Sequence, residues 1–292
     1  MSKEGLSPKQ ERNRKFVAET MAEKFYSIQM SEETKRKILE IKDILDKNPN
    51  LNFLILFNHT YSGDPLFAGH IANKLDSNFE RQIIAPVSAS HTVAQKRHLK
   101  FSERKENWFL NTLNKIAKST GVKTLPIVQT TEGDSFKEEA QKGYFNFFEE
   151  LKKLSSDGGV GCIVSPEGHR SEDGKLQKGE KGIQLMAKIL QPTIIIPLGI
   201  YFEAEEKDDI FIRKYKRSGL NFGKKVNINI GEYKILEKGQ KMTAKEMMNL
   251  LADTLPLDLR SEEYLNDEQK KELAQMPEVR TIVKMSKKKK TA

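Results

Sequence analysis

From residue 51 onward the chain alternates between short apolar runs and longer segments whose apolar residues recur at helical spacing. This alternation limits the fold more than any other feature. An apolar run of about 4–8 residues is too short for a buried helix and reads as a strand covered on both faces. Residues 51–57, 160–164 and 193–200 are such runs, and 82–89 and 122–128 read as further strands. Residues 226–230 alternate less clearly and read as another. Helices are expected between them, over 65–75, 107–119, 138–154 and 180–190. In the second of these, Phe109, Leu110, Leu113, Ile116 and Ala117 fall on one side, and Gly121 closes the segment. Strands alternating with helices predict an α/β fold: a central mixed sheet flanked by helices, with a helical N-terminal region.

The flanks are helical in pattern. Ser31 suits an N-cap, Glu32 and Glu33 suit the first turn, and Ile38, Leu39, Ile41, Ile44 and Leu45 make an apolar stripe that Asn48-Pro49 ends. Residues 1–50 are therefore expected to form a helical region packed on an α/β domain over 51–255. Residues 256–292 are expected to add a C-terminal helix and a basic tail. Thr243-Ala244-Lys245-Glu246 has capping-box spacing and opens a helix through Leu251. Residues 261–274 suggest another helix, and Lys287-Lys288-Lys289-Lys290 brings the chain to a positively charged end.

Charge narrows the partners. The 292 residues carry a formal net charge of +9. That favours anionic partners: phosphorylated metabolites, acidic carrier proteins, anionic membrane surfaces or nucleic acid. Nucleic acid is not expected, because no known nucleic-acid module is evident and Trp108 is the only tryptophan. Cys162 is the only cysteine and lies inside an apolar run. This excludes an internal disulfide or a thiolate zinc cluster and reads as a core position. No apolar run approaches the roughly 20 residues a membrane-spanning helix needs. Residues 1–15 are polar and charged, without the apolar centre of a signal peptide. The expected location is cytoplasmic, with peripheral contact with an anionic membrane as the alternative.

Two segments carry candidate chemistry. His59 follows the apolar run at 51–57 and stands five residues before Asp64. In an open α/β sheet a residue just past a strand lies at the carboxyl edge, where ligands bind. Asp64 precedes Pro65, which suits an N-cap followed by proline at the first helical position. A carboxylate turned back toward the imidazole would fix its tautomer and stabilise its charged form. The other ring nitrogen is then ready to take a proton from an alcohol. By itself the pair is more simply a helix cap with a loop histidine beside it. The second segment, Ser165-Pro166-Glu167-Gly168-His169-Arg170-Ser171, follows another apolar run and is expected along the same edge. Gly168 permits close approach of the backbone to a ligand, and Arg170 offers a fork of donors that suits phosphate. Lys175, Lys178 and Lys181, interleaved with Gly174, Gly179 and Gly182, follow as a flexible basic loop without the GxxxxGK[ST] pattern of a P-loop.

Together these segments resemble the glycerolipid acyltransferase family, which contains the glycerol-3-phosphate and 1-acylglycerol-3-phosphate acyltransferases. Asn58-His59-Thr60-Tyr61-Ser62-Gly63-Asp64-Pro65 is similar to the family's NHxSxxD block. The second segment, continued by Glu172-Asp173-Gly174-Lys175-Leu176, is similar to its FPEGTRS block. Ile195-Ile196-Pro197-Leu198-Gly199-Ile200 resembles its late VPVAI-type strand, and Val226-Asn227-Ile228-Asn229-Ile230-Gly231-Glu232 the strand and turn that follow. The resemblance covers residues 51–255. It departs at His169, where the family has threonine, and at Ser165, where an aromatic is usual. The family's middle block carries a phosphate-binding arginine that has no counterpart in the nearest stretch, Leu125-Pro126-Ile127-Val128-Gln129-Thr130.

The resemblance implies an O-acyltransferase of the HxxxxD type acting in phospholipid synthesis. A fatty acyl group would pass from a thioester, acyl-CoA or acyl-carrier protein, to a hydroxyl of glycerol-3-phosphate or lysophosphatidate. His59 is then the general base and Asp64 its orienting carboxylate. Glu167, Gly168, His169, Arg170 and Ser171 form the acceptor site, with Arg170 meeting phosphate. Pro197 is expected in the acyl-donor wall or in the strand beneath the site. No cofactor, metal or acyl-enzyme is implied, because the thioester arrives already activated. The missing arginine leaves open a non-glycerol acceptor. The rival from another class is a non-catalytic lipid- or membrane-binding protein on the same fold, which gives no reason for the His59–Asp64 pair.

Overall fold

The computed structural model describes residues 6–16, 26–78, 81–88, 115, 118–127, 137–156, 159–207, 210–216, 221 and 223–284. In chain order the first elements are α1 (Pro8–Phe16), β1 (Ser27–Gln29), α2 (Glu32–Lys47), β2 (Asn52–Phe57), α3 (Asp64–Leu75), β3 (Gln82–Ser88) and β4 (Lys123–Ile127). Next come α4 (Lys137–Ser156), β5 (Val160–Val164), α5 (Gly182–Ile189), β6 (Thr193–Phe202), β7 (Glu205–Lys207) and β8 (Ile210–Lys216). The chain closes with β9 (Lys225–Ile230), β10 (Lys234–Leu236), α6 (Ala244–Ala252), α7 (Asp267–Gln275) and β11 (Val279–Lys284).

Eight strands form one mixed sheet in the order β1-β9-β6-β2-β5-β3-β4, with β10 also paired to β6. The run β6-β2-β5-β3-β4 is parallel throughout, whereas β9 and β10 run antiparallel to β6. The apolar runs are central strands because both of their faces are covered. Phe53, Ile55 and Phe57 face Ile38, Ile41 and Leu45 of α2 and Phe67, Ile71 and Leu75 of α3. Leu54 and Leu56, one step out of phase, face Leu151 of α4, Ile183 and Met186 of α5, and Met247 of α6. A strand buried between two helical layers has no reason to alternate with polar residues. Cys162 lies in this core, fully buried, and burial pushes its thiol pKa well up.

Helix starts follow local chemistry. The Ser31 side chain accepts from the Thr34 N–H at the head of α2, and Thr243 with Glu246 completes a capping box on α6. In α2 the buried face is Thr34, Lys37, Ile38, Ile41 and Leu45, while Leu39, expected in the stripe, is 67% exposed. It lies one residue past Ile38, about 100° round the helix.

The N-terminal region is only partly helical, because β1 pairs in parallel with β9 and so extends the main sheet. The C-terminal region is also more than a helix. The expected helix over 261–274 is a short 3-10 turn, Glu262–Tyr264, followed by α7 under an Asn266 capping box. Beyond it, β11 returns to pair with β8, and β7, β8 and β11 make a second, three-stranded sheet. The expected helix over 107–119 lies almost wholly outside the described residues, as do Val128-Gln129-Thr130 and the lysine tail. Among the described residues no helix is long and apolar enough to cross a membrane.

Candidate active site

The two motif segments meet because β2 and β5 are parallel neighbours, with Leu56 opposite Val164. Their following loops leave the same carboxyl edge side by side. Asn58 fixes the start of the first loop. Its side chain donates to the Ile200 carbonyl (2.8 Å) and accepts from the Ile200 N–H (2.7 Å), continuing the β6 ladder by one rung. Asn58 had no assigned role in the sequence reading. The available signal was a single amide placed directly after the five apolar residues 53–57.

His59 Nδ1 lies 3.3 Å from Asp64 Oδ2. The imidazole side chain is 21% exposed and the carboxylate fully buried. The same oxygen accepts from the backbone N–H groups of Thr60 (2.6 Å) and Tyr61 (2.8 Å). Burial raises the Asp64 pKa, and His59 with these two N–H donors pulls against that rise. The expectation that Asp64 caps α3 is corrected. Gly63 is the N-cap, Asp64 opens the helix, and the Leu66 N–H already bonds the Gly63 carbonyl at 2.9 Å. The carboxylate is therefore turned back into the loop. A side chain at Gly63 would be crowded: a Cβ there would stand 2.4 Å from the Tyr61 ring.

The Glu167 side chain lies between the two motif loops. Its Oε1 accepts from the His59 N–H (2.6 Å) and its Oε2 from the Gln177 N–H (2.7 Å), and the side chain is buried. The His59 carbonyl in turn accepts from the Ser171 N–H at 2.8 Å. Both backbone polar groups of His59 are thus held by the second segment. Burial pushes the Glu167 pKa up to about 8, opposed by the two N–H groups.

Ser171 is bonded within its own loop. It is fully buried, its hydroxyl donates to Asp173 Oδ1 (2.9 Å), and the Gly174 N–H donates to it (2.9 Å). Gly168 makes the turn between them at φ +71°, the left-handed region that favours glycine. Of the expected acceptor residues, His169 is exposed and Arg170 half-buried. The glycine–lysine stretch is pinned rather than loose: Leu176 N–H bonds the Leu259 carbonyl and Glu180 N–H the Pro166 carbonyl, each at 2.8 Å.

Beneath the first loop lies an aromatic floor that sequence patterning gave no means to find. Tyr61 contacts Phe202 at 5.0 Å between ring centroids, and Phe202 stacks on Tyr215 of β8 at 4.9 Å. The Tyr215 hydroxyl also lies against Gly174, where a Cβ would come within 2.7 Å of it. One residue of the small sheet therefore sits under both motif loops. Arg213 fastens that sheet, donating to the Phe202 carbonyl (2.8 Å) and pairing with Asp258. Pro197 is buried in β6 opposite Leu56, part of the sheet beneath the site.

Among the described residues no group of three or more His, Cys, Asp or Glu side chains converges as a metal site. No protein-family model matches the chain, and no curated protein matches it.

Proposed function

We propose that the protein is an O-acyltransferase that moves a fatty acyl group from an acyl thioester, acyl-CoA or acyl-carrier protein, to a hydroxyl of glycerol-3-phosphate or lysophosphatidate. The observation that carries this reading is the His59–Asp64 pair, a partly exposed imidazole held 3.3 Å from a buried carboxylate at the carboxyl edge of the sheet. An ionised carboxylate only accepts, so Nδ1 carries the hydrogen and Nε2 keeps its lone pair. Nε2 takes the proton of the acceptor hydroxyl as that oxygen attacks the thioester carbonyl. The new C–O bond forms, the C–S bond breaks, and the departing thiolate recovers the proton from the imidazolium. Asp64 stabilises the imidazolium in between. Arg170 and the neighbouring lysines supply the positive charge that suits a phosphorylated acceptor.

The test follows free thiol release from acyl-CoA and acyl-carrier protein with glycerol-3-phosphate or lysophosphatidate as acceptor. His59→Ala is expected to lower turnover on the order of 10²–10⁴-fold, the usual contribution of a positioned base. Asp64→Asn should also lower it. Near-normal turnover in His59→Ala would remove the base assignment. Arg170→Ala is expected chiefly to raise the acceptor KM, and an unchanged KM would remove its phosphate role.

A further inference from the structure

A patch of exposed apolar and basic side chains adjoins the second motif loop. Lys181, the N-cap of α5, and Leu185 and Lys188 on the helix recur at i, i+4 and i+7, so they share one exposed stripe. Leu185 is 40% exposed. Beside it α4 presents Tyr144 at 38% and Phe145 at 65% exposure. The Tyr144 hydroxyl lies over Gly182, 2.8 Å from where a Cβ would stand, which sets it within one turn of Leu185. Lys178 is exposed at the end of the motif loop, and none of Lys178, Lys181 and Lys188 is in an ion pair with a described residue. Glu149 and Glu180 are exposed acidic residues of the same segments. The inner face of α4 is already committed to the core through Phe147, Phe148 and Leu151. Phe145 is therefore aromatic surface beyond what the fold needs, while Tyr144 packs one edge on Phe148, 4.6 Å between ring centroids, and leaves the rest to solvent.

We propose that this patch docks the protein on an anionic lipid bilayer, with Tyr144, Phe145 and Leu185 entering the headgroup–acyl boundary and the lysines meeting lipid phosphates. An aromatic and aliphatic cluster with Lys181 and Lys188 on the Leu185 stripe, and Glu180 near Tyr144, matches the bilayer interface in both chemistries. Apolar side chains gain by leaving water, while lysine stems lie along them and the ammonium heads reach the phosphate layer. The consequence for substrate rests on the acyltransferase reading. The lysine loop is bonded to the second motif through Glu180 N–H and the Pro166 carbonyl, 2.8 Å apart. Docking through it places His59 next to the lipid surface, which favours a lipid acceptor such as lysophosphatidate over a freely soluble one.

Co-sedimentation with vesicles tests the docking without any turnover, so its failure is separate from failure of acyl transfer. The full chain is spun with phosphatidylcholine vesicles and with phosphatidylcholine–phosphatidylglycerol vesicles. Binding to the mixed vesicles, weakened by salt, is expected. The double variant Phe145→Ser/Leu185→Ser should lower the partition coefficient about tenfold or more. Lys181→Glu/Lys188→Glu should abolish the preference for phosphatidylglycerol. All four side chains are exposed, so circular dichroism and the unfolding midpoint should not move. Wild-type chain that stays in the supernatant, or patch variants that bind as wild type does, would overturn the proposal. So would apolar variants that keep vesicle binding but lose binding to a purified acyl-carrier protein, which would reassign the patch to an acidic protein.

Discussion

Above about pH 8, where Glu167 is ionised, replacing it with glutamine exchanges one acceptor for a donor at a place where both oxygens receive backbone N–H groups, from His59 and Gln177. One of those N–H groups is left facing another donor in a buried site, which costs about 1–3 kcal/mol. Glu167→Gln should therefore lower the urea unfolding midpoint and reduce turnover through the loosened His59 backbone. Activity retained at wild-type level would detach this carboxylate from the site. The same group gives a pH signature. Burial raises its pKa from 4.5 to about 8, so the folded state holds the proton more tightly than the unfolded chain does. That contribution to stability is full below pH 4.5 and is lost as the pH rises through about 8. Above that pH the ionised carboxylate accepts from both N–H groups while bearing the cost of its desolvation. Stability measured across this range should fall with rising pH in the wild type and fall less steeply in Glu167→Gln.

At the scale of elements, the carboxyl edge works because each loop is tied to a strand it does not belong to. Asn58 bonds across to β6, and Glu167 bonds from the loop after β5 to the loop after β2. The start of α3 is equally constrained, since the loop must fold Tyr61 over Gly63 while turning Asp64 toward His59. Gly63→Ala would drive a methyl group to 2.4 Å from the Tyr61 ring. The strain of such overpacking is about 1–3 kcal/mol, and relief requires the Tyr61–Asp64 turn to open. The expected result is a lower unfolding midpoint with a larger relative loss of turnover. Wild-type stability and turnover in this variant would show that the loop accommodates the methyl group elsewhere.

For the whole molecule, the small sheet is the element on which the site depends from below. Tyr215 reaches it from β8, and β8 is held by β11 and by the buried Arg213–Asp258 pair. Removing one partner of a buried ion pair costs about 3–5 kcal/mol, because the other charge stays buried alone. Arg213→Ala should lose stability on this scale in urea unfolding and lower turnover, although no step of the chemistry uses Arg213. A change below 1 kcal/mol, roughly the value of an exposed pair, would mean that the small sheet is not fastened through this arginine.

The central sheet, its flanking helices and the common edge of the two motifs were determined by the sequence itself. Residues 160–164 and 193–200 are apolar on both faces, so only burial between two layers satisfies them, and residues directly after such strands must emerge at one edge. Asp64 facing His59 was legible from the same local constraint, a carboxylate set beside a helix start. What each remaining polar group does was decided by tertiary structure alone. Glu167 and Ser171 read as acceptor-site residues along the chain; in the fold the His59 N–H of the neighbouring loop bonds Glu167, while the Gly174 N–H of its own loop bonds Ser171. The second sheet was equally hidden. β8 and β11 mix charged with apolar residues, and their pairing joins Val279–Lys284 to Ile210–Lys216 across a separation that no local pattern encodes. Local periodicity reports which face of a segment must leave water, whereas the partner that covers it is chosen only when the whole chain has closed.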